Sequence, residues 1–264
     1  MALTIQGIYP TSYVMYHGDE PSVVDKAVIE EGQVCISVNG QELVTLMCTP
    51  FNLEELALGF LCAEGVISGP DDIHILTVSR HERCVDVWLR DAAYTPPTRR
   101  IITSGCGGGV AFEEISRLHE PLSSTTTITP AQIRTLMQSL HESAVLYNEV
   151  RGVHTSALAD DQRLLLVAQD IGRHNTIDRL WGQALQQGLS TRDKVILASG
   201  RISSEMLNKA AKMHVPVVIS RTSPTSLSVE LGQAWGVTVI GYARGRNFRV
   251  YATPGRIRAS ATMS

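Results

Sequence analysis

A chain of 264 residues, 44% hydrophobic and 19% charged, is long enough to bury a core and to hold one large or two smaller domains. A net charge of −3 gives no overall electrostatic case for binding nucleic acid or a membrane surface. No apolar run is long enough to span a bilayer, and Met1 to Pro10 lacks the basic start and apolar centre of a secretory signal, so the expectation is a soluble cytoplasmic protein.

Residues 1–30 suggest an edge strand and polar loops. Val34 to Val38 alternates, Asn39-Gly40 is a hairpin signal, and Glu42 to Cys48 returns as the second strand. A helix follows, with Asn52 as its cap, Glu55 closing a capping box and Phe51 stapled onto Leu56. Its apolar stripe is Leu53, Leu56, Ala57, Phe60 and Leu61, and Gly65 stops it. Glu54, Glu55 and Glu64 read as its solvated face. Ile73 to Ser79 and Cys84 to Arg90 read as two more strands, which makes residues 1–100 a small α+β domain. Pro96-Pro97 leads to the boundary.

Residues 101–112 form a glycine-rich cysteine loop, Thr103-Ser104-Gly105-Cys106-Gly107-Gly108-Gly109-Val110. Glycines allow close backbone approach, and a thiol there has little side-chain cover. Backbone N–H groups aimed at the sulfur would favour its thiolate, which suits a nucleophile or a sulfur carrier. An interdomain linker that happens to contain cysteine fits the loop equally well. The other four cysteines, Cys35, Cys48, Cys62 and Cys84, lie in apolar runs and read as core thiols. The odd count and the absence of C-x-x-C spacing argue against a disulfide framework and a four-cysteine zinc site.

Residues 113–264 form the second domain. Thr129-Pro130 opens a helix with the stripe Ile133, Leu136, Met137, Leu140 and Ala144. Strands at Leu164 to Ala168, Lys194 to Ala198, Val215 to Ser220 and Thr238 to Tyr242 then alternate with helices at Asn175 to Gln187, Ser203 to Met213 and Pro224 to Trp235. The pattern implies an α/β fold whose sheet is mostly parallel or mixed, with helices on both faces.

Ligands of such sheets bind beyond the carboxyl ends of the strands. The four ends carry Arg173, His174 and Asn175; Arg201; Arg221; and Tyr242-Ala243-Arg244-Gly245-Arg246-Asn247. Arginines converging beside helix starts make an anion site, with phosphate the natural occupant. Neither a P-loop nor a G-x-G-x-x-G after a strand is present, and the H-x-E and P-C-x-x-C pattern of zinc deaminases is missing, so no metal is expected. His154 and His174 can each act as acid, base or ligand donor, or satisfy a loop carbonyl. Asp170 and Asp178 read as helix-start or ion-pair residues.

Taken in order, these motifs resemble those of formate dehydrogenase accessory proteins of the FdhD type. The matching stretches are Val38-Asn39-Gly40, Thr49-Pro50 with Leu53 to Leu61, Glu64-Gly65, Ser104-Gly105-Cys106-Gly107 and Gly152-Val153-His154. They continue with Asp170-Ile171-Gly172-Arg173-His174-Asn175 and Asp178, Ser199-Gly200-Arg201, and Gly241-Tyr242 through Tyr251. The resemblance covers residue 30 to the end. It implies a sulfurtransferase in which Cys106 takes persulfide sulfur from a cysteine desulfurase and passes it to bis(molybdopterin guanine dinucleotide) molybdenum cofactor, for the formate dehydrogenase apoenzyme. It also implies a cytidine-deaminase-like second domain without zinc, and a cofactor-binding segment at Tyr242 to Asn247. The loop departs from the family's Cys-x-x-Cys at Gly109. Arg151 stands where the family tends to have Gly, and Gln169 where it tends to have Glu. The alternative is a cofactor-binding chaperone that carries no sulfur. A homodimer is compatible with a cofactor of two halves but is not determined by the sequence.

Overall fold

The structure, a computed structural model, describes residues 5–79, 83–91, 93–94, 101–102, 110–111 and 120–258. Cys106, and with it the glycine loop, lies outside the described residues.

The chain opens with a hairpin of two long strands, β1 (Ile8–His17) and β2 (Glu20–Ile29), which pair antiparallel with each other alone among the described strands. This corrects the reading of an edge strand with loops. Next come β3 (Gly32–Val38) and β4 (Gln41–Cys48), joined by Asn39 (φ 49°) and Gly40 (φ 77°). Two consecutive positive φ values are the requirement of a type I′ turn. Helix α1 (Leu53–Ala63) and the strands β5 (Ile73–Ser79) and β6 (Cys84–Leu89) complete a sheet of order β4-β3-β6-β5. Val34, Ile36, Val38, Val85 and Val87 point from this sheet onto Leu56, Phe60 and Leu61 of α1.

The expected capping of α1 is not realised. Asn52 adopts a left-handed conformation (φ 45°) and makes no side-chain cap bond. Glu55 instead accepts a hydrogen bond from Gln183 Nε2 at 2.8 Å. Glu64, read as solvated, is 7% exposed, because α1 is covered by the second half of the chain. A second correction concerns cysteine. Cys35 and Cys84 face each other across the parallel β3–β6 pair and form a disulfide, while Cys48 and Cys62 are buried free thiols. Pairing across 49 residues of sequence is set by strand register, which spacing does not reveal.

A short ribbon of β7 (Ile101–Ile102) and β8 (Val110–Ala111) brings the two ends of the glycine loop together. Helix α2 (Pro130–Glu142) begins at Thr129, whose hydroxyl accepts from Gln132 N in a complete capping box. Helix α3 (Val145–Val150) leads to β9 (His154–Ala159), then β10 (Leu164–Asp170), α4 (Arg173–Gln186), β11 (Val195–Ala198), α5 (Ser204–Lys212), β12 (Val217–Ser220), α6 (Ser226–Ala234), β13 (Thr238–Arg244) and β14 (Asn247–Ala252).

The second sheet has the order β10-β9-β11-β12-β13-β14. Only β11–β12 and β12–β13 pair in parallel; β9 runs against both its neighbours, and β14 against β13. The sheet is therefore mixed rather than mostly parallel. The difference is β9, whose sequence His-Thr-Ser-Ala-Leu-Ala has little of the β-branched content that marks a strand. Helices do cover both faces. Leu158, Ile196, Val218 and Val239 pack with α4 and α5 through Ile177, Leu180, Met206 and Leu207. Ala157, Leu197, Ile219 and Ile240 pack with α2 through Ile133, Leu136 and Leu140.

The two halves meet where α1 crosses α4. A Cβ on Gly59 would fall into the backbone carbonyl of Asp178, and one on Gly182 into that of Glu55. Two glycines thus let the helix backbones touch. Among the described residues no helix is long and apolar enough to cross a membrane.

Candidate functional site

The strands β10, β11, β12 and β13 all point the same way, because β9 is reversed between β10 and β11. Their carboxyl ends share one rim with the start of β9. Residues 169–175, 199–204, 220–224 and 241–247 therefore do converge, and His154 joins them from the opposite direction.

A cavity of about 330 Å³ opens on this rim. Arg221, Arg244, His154, Ser199, Thr222 and Tyr147 are among its walls. The loops around it are built by short hydrogen bonds. Ser220 donates through Oγ to Gly200 O at 2.6 Å, and Thr222 N donates to Ser220 Oγ at 3.0 Å. Ser199 Oγ accepts from Thr155 N at 2.9 Å. Arg221 N donates to Ala198 O at 3.1 Å, and Arg244 Nε donates to Arg221 O at 2.8 Å. The last bond leaves the outer nitrogens of the Arg244 guanidinium available to a ligand.

The segment Tyr242 to Asn247 is the tip of the β13–β14 hairpin. The pairing register shifts between Gly241 and Arg244, and Tyr242 has φ 53°. Such a bulge twists a strand and re-aims its side chains. Ala243 is buried, whereas Arg244, Gly245, Arg246 and Asn247 are exposed. The Tyr242 ring lies 4.4 Å under the Arg249 guanidinium. Arg201 is exposed on the neighbouring loop.

His154 sits against Gly200, where an added Cβ would be 3.0 Å from His154 Nδ1 and 3.2 Å from Arg173 Cβ. Burial, and then the charge of Arg173, hold its pKa below the usual histidine value, with Arg201 adding to the effect and Asp170 opposing it. At neutral pH His154 is a neutral imidazole, one nitrogen a donor and the other an acceptor.

The remaining expected ligand residues point inward. Arg173 is 5% exposed. His174 Nδ1 is 3.4 Å from Glu205 Oε2, and burial depresses its pKa to about 4. Asn175 Nδ2 donates to Met47 O at 2.9 Å and Asp170 Oδ1 at 2.8 Å, which uses both of its donors within the protein. Asp178 pairs with Lys209 at 2.7 Å, and Asp170 with Arg179 at 2.8 Å, as the ion-pair reading of those aspartates anticipated. Burial works against the Lys209 charge, but Asp178, Glu205 and Glu64 hold its pKa above the ordinary lysine value. Tyr147 and His141 of the cavity wall were not legible as site residues, since both lie in ordinary helical runs with no motif around them.

Among the described residues no group of three or more His, Cys, Asp or Glu side chains is placed to hold a metal ion.

Comparison with known proteins agrees over nearly the whole chain. The model of the FdhD/NarQ family matches residues 29–258. A protein named sulfur carrier protein FdhD from Bacillus subtilis (strain 168) is 39% identical over 248 residues, covering 92% of this chain and 95% of that one. One of the same name from Staphylococcus aureus (strain MRSA252) is 38% identical over 234 residues, covering 87% and 88%. A crystal structure of a candidate formate dehydrogenase accessory protein from Desulfotalea psychrophila matches with a TM-score of 0.81 at 25% identity, covering 96% of this chain and all of that one. The family match from residue 29 to residue 258 spans both sheets and the rim, and by it the chain belongs to the FdhD/NarQ family.

Proposed function

We propose that this protein is a sulfur carrier for formate dehydrogenase, a sulfurtransferase in which Cys106 bears the sulfur. A cysteine desulfurase supplies it, and bis(molybdopterin guanine dinucleotide) molybdenum cofactor, held on the rim, receives it. Relatives that share most of the chain's length carry the name sulfur carrier protein, and the matching crystal structure carries the accessory name.

The observation that carries the cofactor half of this reading is the rim itself. Arg221 and Arg244 line one cavity, with Ser199 and Thr222 beside them and Arg201 on the adjoining loop. Guanidinium groups on loops tied by their own hydrogen bonds are suited to phosphate oxygens. The hairpin tip beyond Arg244 adds the exposed Arg246 and Asn247 to this end of the sheet. Arg173, His174 and Asn175 act from behind, by setting the position of His154 and of the loop after β10.

The loading step balances without an added oxidant. The Cys106 thiolate attacks the outer sulfur of the desulfurase persulfide. An S–S bond forms to Cys106, the old S–S bond breaks, and the desulfurase thiolate leaves. Gly109 in place of a second loop cysteine leaves one attachment point, which is all a persulfide needs.

Intact mass measured after incubation with a cysteine desulfurase and cysteine tests the carrier role. Wild type is expected to gain one reducible sulfur atom, and Cys106→Ala none. No gain on wild type, with the desulfurase shown to be active, removes the carrier role. The protein would then be a chaperone that binds cofactor without moving sulfur, the reading that Gly109 favours.

A further inference from the structure

His154 reaches the rim cavity from a direction of its own. It opens β9, the reversed strand, and pairs with Asp170 at the end of β10. Its neighbour holds it in place. Thr155 N donates to Ser199 Oγ at 2.9 Å, and Thr155 O accepts from Ser199 N at 2.9 Å, so the start of β9 is tied to the loop after β11. The ring lies against Gly200, where an added Cβ would fall 3.0 Å from Nδ1 and 3.2 Å from Cε1. The missing side chain of Gly200 thus gives the imidazole its room. His154 is half-buried and shares the cavity wall with Arg221 and Arg244.

The charges around this ring are unbalanced. Arg173 on α4 and Arg201 after β11 disfavour an imidazolium, and Asp170 on β10 favours one. The Asp170 carboxylate is fully buried and already accepts from Arg179, Asn175 and the amides of Thr49 and Gly172. His174, also on α4, is neutral at pH 7. Arg221 and Arg244 come from the ends of β12 and β13, and His141 and Tyr147 from α2 and α3. An empty cavity with so many guanidinium groups around it resists a further cation.

We propose that His154 is a titrating contact of this cavity: it takes up a proton when a phosphate group enters between Arg221 and Arg244, and the imidazolium then holds that group as a further cation. The proposal rests on the reading of the rim as an anion site and adds a residue and a proton to it. The proton comes from solvent and returns there when the ligand leaves, and only the N–H bond of the ring is made and broken. A dianion among the arginines reverses the field that keeps the ring neutral. The coupling is reciprocal, so a charged ring binds the anion more tightly than a neutral one. Affinity therefore rises as pH falls through the range in which only the occupied site holds the proton. A histidine that merely filled the space beside Gly200 would give no such dependence.

Sulfate is the probe, because it stays a dianion across the test and brings no titrating proton of its own. Its binding to the full chain is followed by chemical-shift titration at constant ionic strength. Wild-type affinity is expected to rise about 10-fold from pH 8 to pH 5.5, within the usual range of coupling between two sites. His154→Gln is expected to bind with one affinity at both pH values. A wild-type affinity that does not change with pH overturns the proposal and leaves the anion site standing. So does a pH dependence that survives in His154→Gln, which would give the proton to His141 or another group. Absence of sulfate binding at either pH removes the anion site, and the proposal falls with it. The imidazole signals of wild type decide the matter without a variant. His154 is expected to titrate at higher pH in sulfate than in chloride of equal ionic strength, whereas His74, exposed on β5, is expected to titrate alike in both. Equal midpoints for His154 in the two salts overturn the proposal.

Discussion

Arg179 lies 2.8 Å from Asp170 with both side chains at or below 1% exposure, and this pair joins the two halves of the chain. The carboxylate also accepts from Thr49 N at 3.2 Å, and the guanidinium donates to the carbonyls of Thr49, Phe51 and Asn52 while stacking on the Phe51 ring. One planar group thus satisfies several carbonyls at the end of β4 and the start of α1. Removing one partner of a buried pair strands the other as an unpaired charge. Arg179→Met is expected to lower unfolding stability by about 3–5 kcal/mol, read from urea denaturation. Arg179→Lys is expected to recover only part of that, since a lysine lacks the fork. A loss under about 1 kcal/mol for Arg179→Met would show that the halves are held elsewhere.

The α1–α4 crossing gives a sharper steric test. Gly59→Ala puts a methyl group into the Asp178 carbonyl, and neither backbone can yield without moving a helix. The expected cost is about 3 kcal/mol or more, from overpacking together with poorer packing along the crossing. Gly182→Ala is expected to behave likewise, and the two together to cost less than their sum, because the first already separates the helices. Gly69→Ala, with no neighbour within 4 Å of its added methyl, is the control and is expected to be close to neutral. Equal effects at all three glycines would remove the helix crossing as the cause.

Arg151 stands at φ 62° and ψ −163°, a conformation essentially confined to glycine. Its guanidinium lies 4.7 Å over the Tyr147 ring, which offsets part of the strain. Arg151→Gly relieves the backbone strain and gives up the cation–π attraction to Tyr147, and the balance is expected to raise stability by about 1 kcal/mol. Thermal unfolding measures it. A loss of stability would mean that the attraction to the ring, not the backbone, decides this turn.

Much of this architecture was legible because it is written locally. Thr129-Pro130 opens α2 as read, with Gln132 completing the capping box two positions on, and Asn39-Gly40 makes its turn as read. The arginine rim was legible because strand direction puts every strand end of one sense on one edge. What escaped depends on distance in sequence or on neighbours. Cys35 meets Cys84 through register, and Glu64 is buried where the second half of the chain covers α1. The β1–β2 hairpin lacks the one-sided alternation of a strand resting on a core, because it is apolar on both faces. Arg173, His174 and Asn175 were read as rim residues from their place after β10, but the start of α4 packs beneath the rim and all three are buried.

On the rim, Arg221 and Arg244 make opposite demands on a binding experiment. Arg221→Ala removes a cavity charge yet keeps the carbonyl that anchors Arg244, whereas Arg244→Ala removes a charge and its anchor bond together. If the proposed cofactor binds here, each variant is expected to weaken equilibrium binding by about 10-fold or more, the scale of one charge-assisted hydrogen bond. Binding to wild type is expected to weaken as salt is raised. Arg246→Ala, at the exposed turn, is expected to have a smaller effect. Unchanged binding in both cavity variants would move the cofactor off this rim.

His174 sets a pH dependence whose sign follows from its surroundings. Burial lowers its pKa from 6.5 to about 4; Glu205 pulls upward, while Lys209, Arg173 and His154 add to the depression. Between those values the unfolded chain binds a proton that the folded protein refuses. The His174 contribution to stability therefore falls as pH drops from 6.5 and is gone below about 4, while Asp178, whose burial raises its pKa to about 6, works in the opposite direction over the same range. A shift of this size corresponds to about 3 kcal/mol over the window. His154, depressed in the same direction, adds to the slope. His174→Gln is expected to flatten the stability profile between pH 6.5 and 4, whatever it does to stability at pH 7. Glu205→Gln removes the group that favours the imidazolium, and is expected to carry the loss to lower pH. Urea unfolding across this range measures both, and a His174→Gln profile parallel to wild type would place the titrating group elsewhere.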